Sequence, residues 1–289
     1  MAGRRGWLAR GAALTLVALV AAAAAARSGA STARCPEGAS PVGARCCGEG
    51  QSLLDGRCEG TPSRCPSALE VTPTGCVADE RRVRIAAGTV GTFPPDWEAA
   101  GRAIPRGTVR AFDLDAFEVT ESRWGACVRA PRCAPRPGDG EPGAPVRGVS
   151  VHEAAAFCAF AGGRLPTPEE HALAGAGAEE RRYPWGFAGV VCRNAAFGLA
   201  TGPCAEGSDR PELAGMRPDG ATPTGVHDLA GNVAEWTVSG SGAFIRGGSF
   251  RSTSSTALRT WSSEPSPGDL GRDDVGFRCA YPLPPPLAE

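Results

Sequence analysis

Three cysteine pairs, Cys35 and Cys46, Cys47 and Cys58, Cys65 and Cys76, recur with ten residues between partners. That repeat constrains the first part of the chain more tightly than any hydrophobic pattern does. Large apolar residues are sparse between Arg34 and Val77, so the segment cannot bury much core and depends on cross-links for stability. Six cysteines permit fifteen pairings, and the repeat favours end-to-end closure of each loop. Turn residues near each second cysteine, Gly43, Gly56 and Gly75, fit three small closed loops. A zinc cluster would want C-x2-C knuckles and histidines, and residues 34–78 contain neither.

Cysteines are stapled in oxidising compartments, and the N-terminus points to one. Arginines at 4, 5 and 10 precede a small-apolar run from Gly11 to Ala26, with alanine-rich cleavage sites at Ala26, Ala30 and Ala33. A secretory signal peptide is expected over residues 1–26, with cleavage as late as 33. The run is too short and too rich in alanine for secure spanning, so no stable membrane span is expected once the signal is removed. The expected location is outside the cytoplasm: periplasmic, cell-surface or extracellular. The formal net charge is −1 and no block of like charge occurs, which argues against nucleic acid as a partner.

From about Val83 the apolar segments lengthen, and six further cysteines follow. Proximity pairs Cys127 with Cys133 and Cys192 with Cys204. Val83–Val90 reads as a strand, and Phe112–Val119 as a second that turns into a helix capped by Thr120, with Glu121 in its first turn. Ser150 with Glu153 forms one capping box and Thr167 with Glu170 another, the latter with proline at the first helical position. These helices should end at Gly162-Gly163 and by Gly177. Ala155, Cys158 and Ala159 are expected on the inward face of the first. Glycine and proline dominate elsewhere, so most of the domain should be irregular loop.

Six motifs stand in order: Phe117-Glu-Val-Thr120; Pro145–Ser150 with Ala155-Ala-Phe-Cys158 and Gly163-Arg-Leu-Pro-Thr167; Tyr183-Pro-Trp-Gly186; Gly225–Trp236; Arg246-Gly-Gly-Ser-Phe250; and Gly276-Phe-Arg-Cys279. Together they identify a resemblance to the formylglycine-generating enzymes, or sulfatase-modifying factors, over Val83–Tyr281. The resemblance implies an α+β fold related to C-type lectins, with small antiparallel sheets and little regular secondary structure, here preceded by a Cys-rich disulfide module. It also implies a disulfide between Cys158 and Cys279. The expected organisation is a signal peptide (1–26), the Cys-rich module (34–78), the sulfatase-modifying-factor-like domain (83–281) and a Pro-rich tail (282–289).

In that family two thiols after the RGGS segment hold copper(I) and activate oxygen, turning a substrate cysteine into formylglycine. Here the two positions read Ser252 and Ala257. Copper(I) is soft and wants thiolates, which neither a hydroxyl nor a methyl replaces, so no copper is expected. The resemblance implies structural calcium, with Gly231, Asn232, Val233 and Glu235 at one site and Asn194 and Ala195 at another. It also implies a groove around Trp236, Arg246, Ser249 and Arg259. No pair among the three histidines, His152, His171 and His227, has the i, i+4 spacing of a helical metal motif. Asp273 and Asp274 are candidates to pair with Arg272 or Arg278. The leading expectation is a non-catalytic family member that binds a peptide or glycan at the cell envelope. The alternative is a formylglycine-generating oxidase or another metal-dependent oxidase of the same family.

Overall fold

The structure, a computed structural model, describes residues 35–43, 45–91, 107–240 and 242–283. The signal peptide expected over 1–26 and the tail beyond residue 283 lie outside the described residues.

Each ten-residue loop at the start is a β-hairpin closed at its base by its own disulfide. β1 (Ala39–Val42) pairs with β2 (Arg45–Gly48), β3 (Ser52–Leu54) with β4 (Arg57–Glu59), and β5 (Leu69–Thr72) with β6 (Gly75–Ala78). The matching bonds are Cys35–Cys46, Cys47–Cys58 and Cys65–Cys76. In the second hairpin Asp55 and Gly56 have φ of +50° and +76°, the left-handed pair that a two-residue hairpin turn requires. Asp-Gly adopts it at little cost.

The hairpins share a core with the body of the chain. Cys46, Cys65, Leu69 and Cys76 lie against Phe117, Leu213 and Met216, and buried Arg45 donates to Glu141 at 2.8 Å. The same carboxylate accepts from the Cys58 amide at 2.7 Å. The hairpins accordingly belong to the same compact unit as the other described residues, and the change of composition near residue 80 is no gap in packing.

Val83–Val90 is two short strands rather than one. β7 (Arg82–Ile85) joins one sheet and β8 (Gly88–Val90) pairs with β9 (Gly107–Val109) in another, because the chain switches sheets at Ala86-Ala87. Only the first half of Phe112–Val119 is strand: β10 (Phe112–Asp115) lies at the centre of the sheet β15–β10–β7, where β15 is Ala280–Pro282. Beyond it, the Val119 amide donates to Phe277 O at 2.9 Å.

Three helices pack beside these sheets. α1 (Glu121–Arg129) has Thr120 at its N-cap, but the Thr120 side chain makes no cap bond and contacts Ser122 Oγ at 2.9 Å instead. Both expected capping boxes are present, Ser150/Glu153 on α2 (Val151–Phe160) and Thr167/Glu170 on α3 (Pro168–Ala176). Each is worth about 1 kcal/mol. The buried face of α2 is Val151, Ala154, Phe157 and Cys158, an i, i+3, i+6, i+7 stripe. Ala155 and Ala159 are exposed, contrary to expectation.

The second sheet runs β13–β12–β11–β14, with β11 at Ala234–Ser239, β12 at Gly242–Arg246, β13 at Ser263–Ser266 and β14 at Val275–Gly276. Its inner face carries Trp236 and Ile245 into a core with Trp124, Phe157 and Phe277. Cys158–Cys279 ties α2 to the segment before β15, while Cys127–Cys133 and Cys192–Cys204 close local loops. Among the described residues no helix is long and apolar enough to cross a membrane.

Candidate functional site

At the end of β12 the backbone turns through Gly247 (φ +84°) and Gly248 (φ +66°), the left-handed region that side chains disfavour. A Cβ on Gly247 would lie 2.8 Å from Leu229 O, and one on Gly248 3.1 Å from Ala257 O. Glycine at both positions therefore lets the turn press between two carbonyls. That turn delivers Ser249.

The Ser249 amide donates to Ser252 Oγ at 2.9 Å, and Ser249 Oγ donates to Asp274 Oδ2 at 3.0 Å. Burial alone would raise Asp274, but the Arg272 fork at 3.2 Å and the Ser249 hydroxyl outweigh it and hold the carboxyl below its usual range. Ser249, Ser252, Ala257, Glu264, Arg272 and Asp274 line a cavity of about 120 Å³. Asp274 pairs with Arg272 as foreseen. Arg278 goes elsewhere.

The positions that would carry the thiol pair do meet at this cavity, and they bring a hydroxyl and a methyl. All twelve cysteines of the chain are in disulfides. No thiol remains to replace the pair from elsewhere. Among the described residues no histidine lines the cavity, so no Ser-His pair is assembled at Ser249 or Ser252.

Two of the other expected groove residues, Trp236 and Arg259, do not line the cavity. Trp236 is fully buried, and its indole N–H donates to Val149 O at 2.9 Å; on β11 it faces the core together with Ile245. Arg259 is buried with its guanidinium 5.8 Å from the Trp261 ring centroid. Arg246 borders the cavity, but its guanidinium donates to Thr260 O at 2.7 Å and to His171 Nδ1 at 3.4 Å. Of the four expected groove residues, Arg246 and Ser249 line the cavity.

In the turn where calcium is expected, Glu235 is paired with a guanidinium. Both Glu235 oxygens accept from Arg278, at 2.6–3.0 Å, and Glu235 lies 3.3 Å from His171 Nε2. Asn232 is equally committed: its amide N–H donates to Glu118 Oε2 at 2.7 Å and its Oδ1 accepts from the Glu212 amide at 2.9 Å. The Val233 amide donates to Glu118, Gly231 donates to Gly247 O, and Ala195 is core. Asn194 donates to Asp219 O at 2.7 Å. These bonds commit the Glu235 and Asn232 side chains, whereas a hard cation would also draw on backbone carbonyls of the turn.

The histidines have separate settings. His152 is exposed near Asp269, His171 is buried beside Glu235, and His227 stacks on Phe117 at 4.7 Å. Among the described residues no group of three or more His, Cys, Asp or Glu is placed to hold a metal ion.

The surrounding buried charges oppose each other across pH. Burial, with Arg81 and Arg278 adding to it, pulls His227 down to about 4. Burial raises neighbouring Asp228 to about 6, against the pull of the Gly215 amide and Arg278. A depressed histidine gives stability that is present above its unfolded pKa of about 6.5 and fades as pH falls toward 4. A raised aspartate does the reverse, favouring the fold below about 3.8 and losing that as pH rises through 6. Asp228→Asn keeps an acceptor for Gly215 and tolerates the residue's φ of +55°. It is expected to stabilise the protein at pH 7.5 by up to about 3 kcal/mol, with the gain vanishing by pH 4. Urea unfolding at both pH values measures it; an equal effect at both would remove the Asp228 ionisation as the cause.

Comparison with known proteins bears on this geometry. The family model for the sulfatase-modifying factor enzyme 1-like domain matches residues 70–283. The inactive C-alpha-formylglycine-generating enzyme 2 of Bos taurus is 34% identical over 152 residues, 47% of this chain and 50% of that protein. Hercynine oxygenase of Mycobacterium tuberculosis is 39% identical over 99 residues, 33% of this chain and 22% of that protein. This chain thus spans about half the length of the first relative, and less of the second. PvdO from Pseudomonas aeruginosa superposes with a TM-score of 0.58 at 21% identity, covering 72% of this chain and 95% of that one. The fold is shared.

Proposed function

The chain belongs to the sulfatase-modifying factor enzyme 1-like family, and from that membership we propose that it is an exported, non-catalytic member whose cavity binds a peptide or glycan. One observation carries the reading: Ser252 and Ala257 stand where the chemistry needs thiolates, and no other cysteine is free. A hydroxyl and a methyl offer copper(I) nothing comparable. The likeness to a relative named as inactive agrees with it. Six disulfides agree with maturation outside a reducing cytosol.

The scaffold keeps a small polar cavity beneath Ser249 and Asp274. Its size suits the end of one side chain. Given copper(I), dioxygen and a C-x-P-x-R peptide, the protein is expected to yield no aldehyde by mass spectrometry. The Ser252→Cys/Ala257→Cys variant is expected to gain copper(I) binding that the natural chain lacks, read by competition with a coloured chelator. Formylglycine production by the natural chain, lost on altering Ser249, would overturn the proposal.

A further inference from the structure

A larger cleft lies directly beside that cavity, and the Cys-rich hairpins build one of its walls. It measures about 460 Å³ and is lined by Arg45, Leu53 and Gly56 from the hairpins and by Arg147, Arg210, Arg251, Asp209 and Asp273 from the rest of the chain. Arg251 and Asp273 line the cleft, while the next residues in sequence, Ser252 and Asp274, line the cavity. Consecutive Cα atoms are about 3.8 Å apart, so the two spaces share a border at two crossings.

The four guanidiniums are held differently. Arg45 has Glu141 behind it at 2.8 Å, and the Arg147 fork takes both Asp139 oxygens at 2.7 and 2.8 Å. These two are fixed walls. Arg251 pairs with Asp209 at 3.1 Å at the open rim, where both side chains are well exposed. Arg210 comes no nearer than 3.6 Å to Asp139, whose oxygens are already occupied, and its Nη1 is shielded from solvent without a hydrogen bond. One charged fork is thus only loosely held by its carboxylate while its side chain is 37% exposed, and a second pair is open to exchange.

Resting on the binding reading above, we propose that this cleft takes an acidic polypeptide segment, with a ligand carboxylate on Arg210 and Arg251 and a neighbouring small side chain in the cavity at Ser249. Guanidinium forks match carboxylates in a bidentate way and recur where acidic motifs are recognised. Sugar rings pack their C–H faces on aromatic rings, and no aromatic residue lines either space. That favours the peptide over the glycan. The Cys-rich module then supplies part of the binding surface, through Arg45 and Leu53.

Fluorescence anisotropy with a labelled Gly-Ser peptide carrying spaced glutamates tests this on the whole chain, beside its glutamine counterpart and a sulfated oligosaccharide. The glutamate peptide is expected to saturate and to weaken with added salt. Arg210→Ala should weaken it about 10- to 100-fold, the range of a charge-assisted hydrogen bond, and Arg210→Lys should recover only part, since the ammonium lacks the fork. Arg251→Ala provides a second variant at an exposed position where folding is not at stake. Equal binding of the glutamine peptide, no effect of either alanine variant, binding of the oligosaccharide alone, or no saturable binding would each overturn the proposal. None of those outcomes restores thiolates to the cavity, so the loss of formylglycine chemistry stands or falls separately on the aldehyde assay.

Discussion

Replacing Cys158 and Cys279 together by alanine is expected to cost about 5 kcal/mol of unfolding free energy, the largest loss from any one of the six bridges. The bond closes a sequence separation of 121, between two cysteines with no solvent exposure. In the chain-entropy model a loop that long restricts the unfolded chain by roughly 5 kcal/mol, whereas the Cys127–Cys133 loop, with a separation of 6, restricts it by only about 2. At about 2–4 °C per kcal/mol for a domain of this size, the thermal midpoint should fall by roughly 10–20 °C. Guanidinium unfolding of both double-alanine variants compares them directly. If the two lose equally, loop length does not govern the effect.

Almost as large an effect is expected from Arg278→Met, because Arg278 is fully buried and every side of its guanidinium is in use. It donates to Glu235 through Nε and Nη2, to Asp115 O and Ala116 O at 3.1 and 3.2 Å, and to His227 O at 2.7 Å. Burial alone would raise Glu235, yet Arg278 and His171 bring it down to about 2, so the carboxylate is ionised and paired. Nearby Glu118, fully buried and repelled by Asp228 and Glu235, is pushed well up. Without the guanidinium, Glu235 becomes an uncompensated buried charge and three carbonyls lose a donor. Breaking such a pair costs about 3–5 kcal/mol. The natural Glu235, with its depressed pKa, lends stability above pH 4.5 that is lost as pH falls toward 2; in the variant its pKa rises, so stability should recover on acidification. Adding Glu235→Gln to Arg278→Met should regain part of the loss at pH 7. A double variant no better than the single one would show that the carbonyls, rather than the charge, set the cost.

The features legible in sequence are those written over short distances. The ten-residue repeat predicts three disulfides, and all three close their own hairpins because a two-stranded turn brings its ends together. Ser150/Glu153 and Thr167/Glu170 are reciprocal bonds three residues apart, so their letters suffice. The ordered motifs identify the family. What escapes depends on parity or on distant pairing. Trp236 lies in a strand whose alternate residues face opposite ways, and its letter does not say which face is the core. Arg45, Arg147, Arg210 and Arg251 are spread over two hundred residues, so no window reveals that they meet. The same holds for Glu118, Glu235 and Arg278.

The central strand Phe112–Asp115 is flanked on one side by Arg82–Ile85 and on the other by Ala280–Pro282. That strand therefore has one neighbour made before it and gains the other only when Ala280–Pro282 has been made. A truncation at Gly276 would strand Asp115 without the Cys279 amide and the Tyr281 hydroxyl that it accepts from. The Cys158–Cys279 bridge waits on that same segment, whereas the bridges of short separation do not.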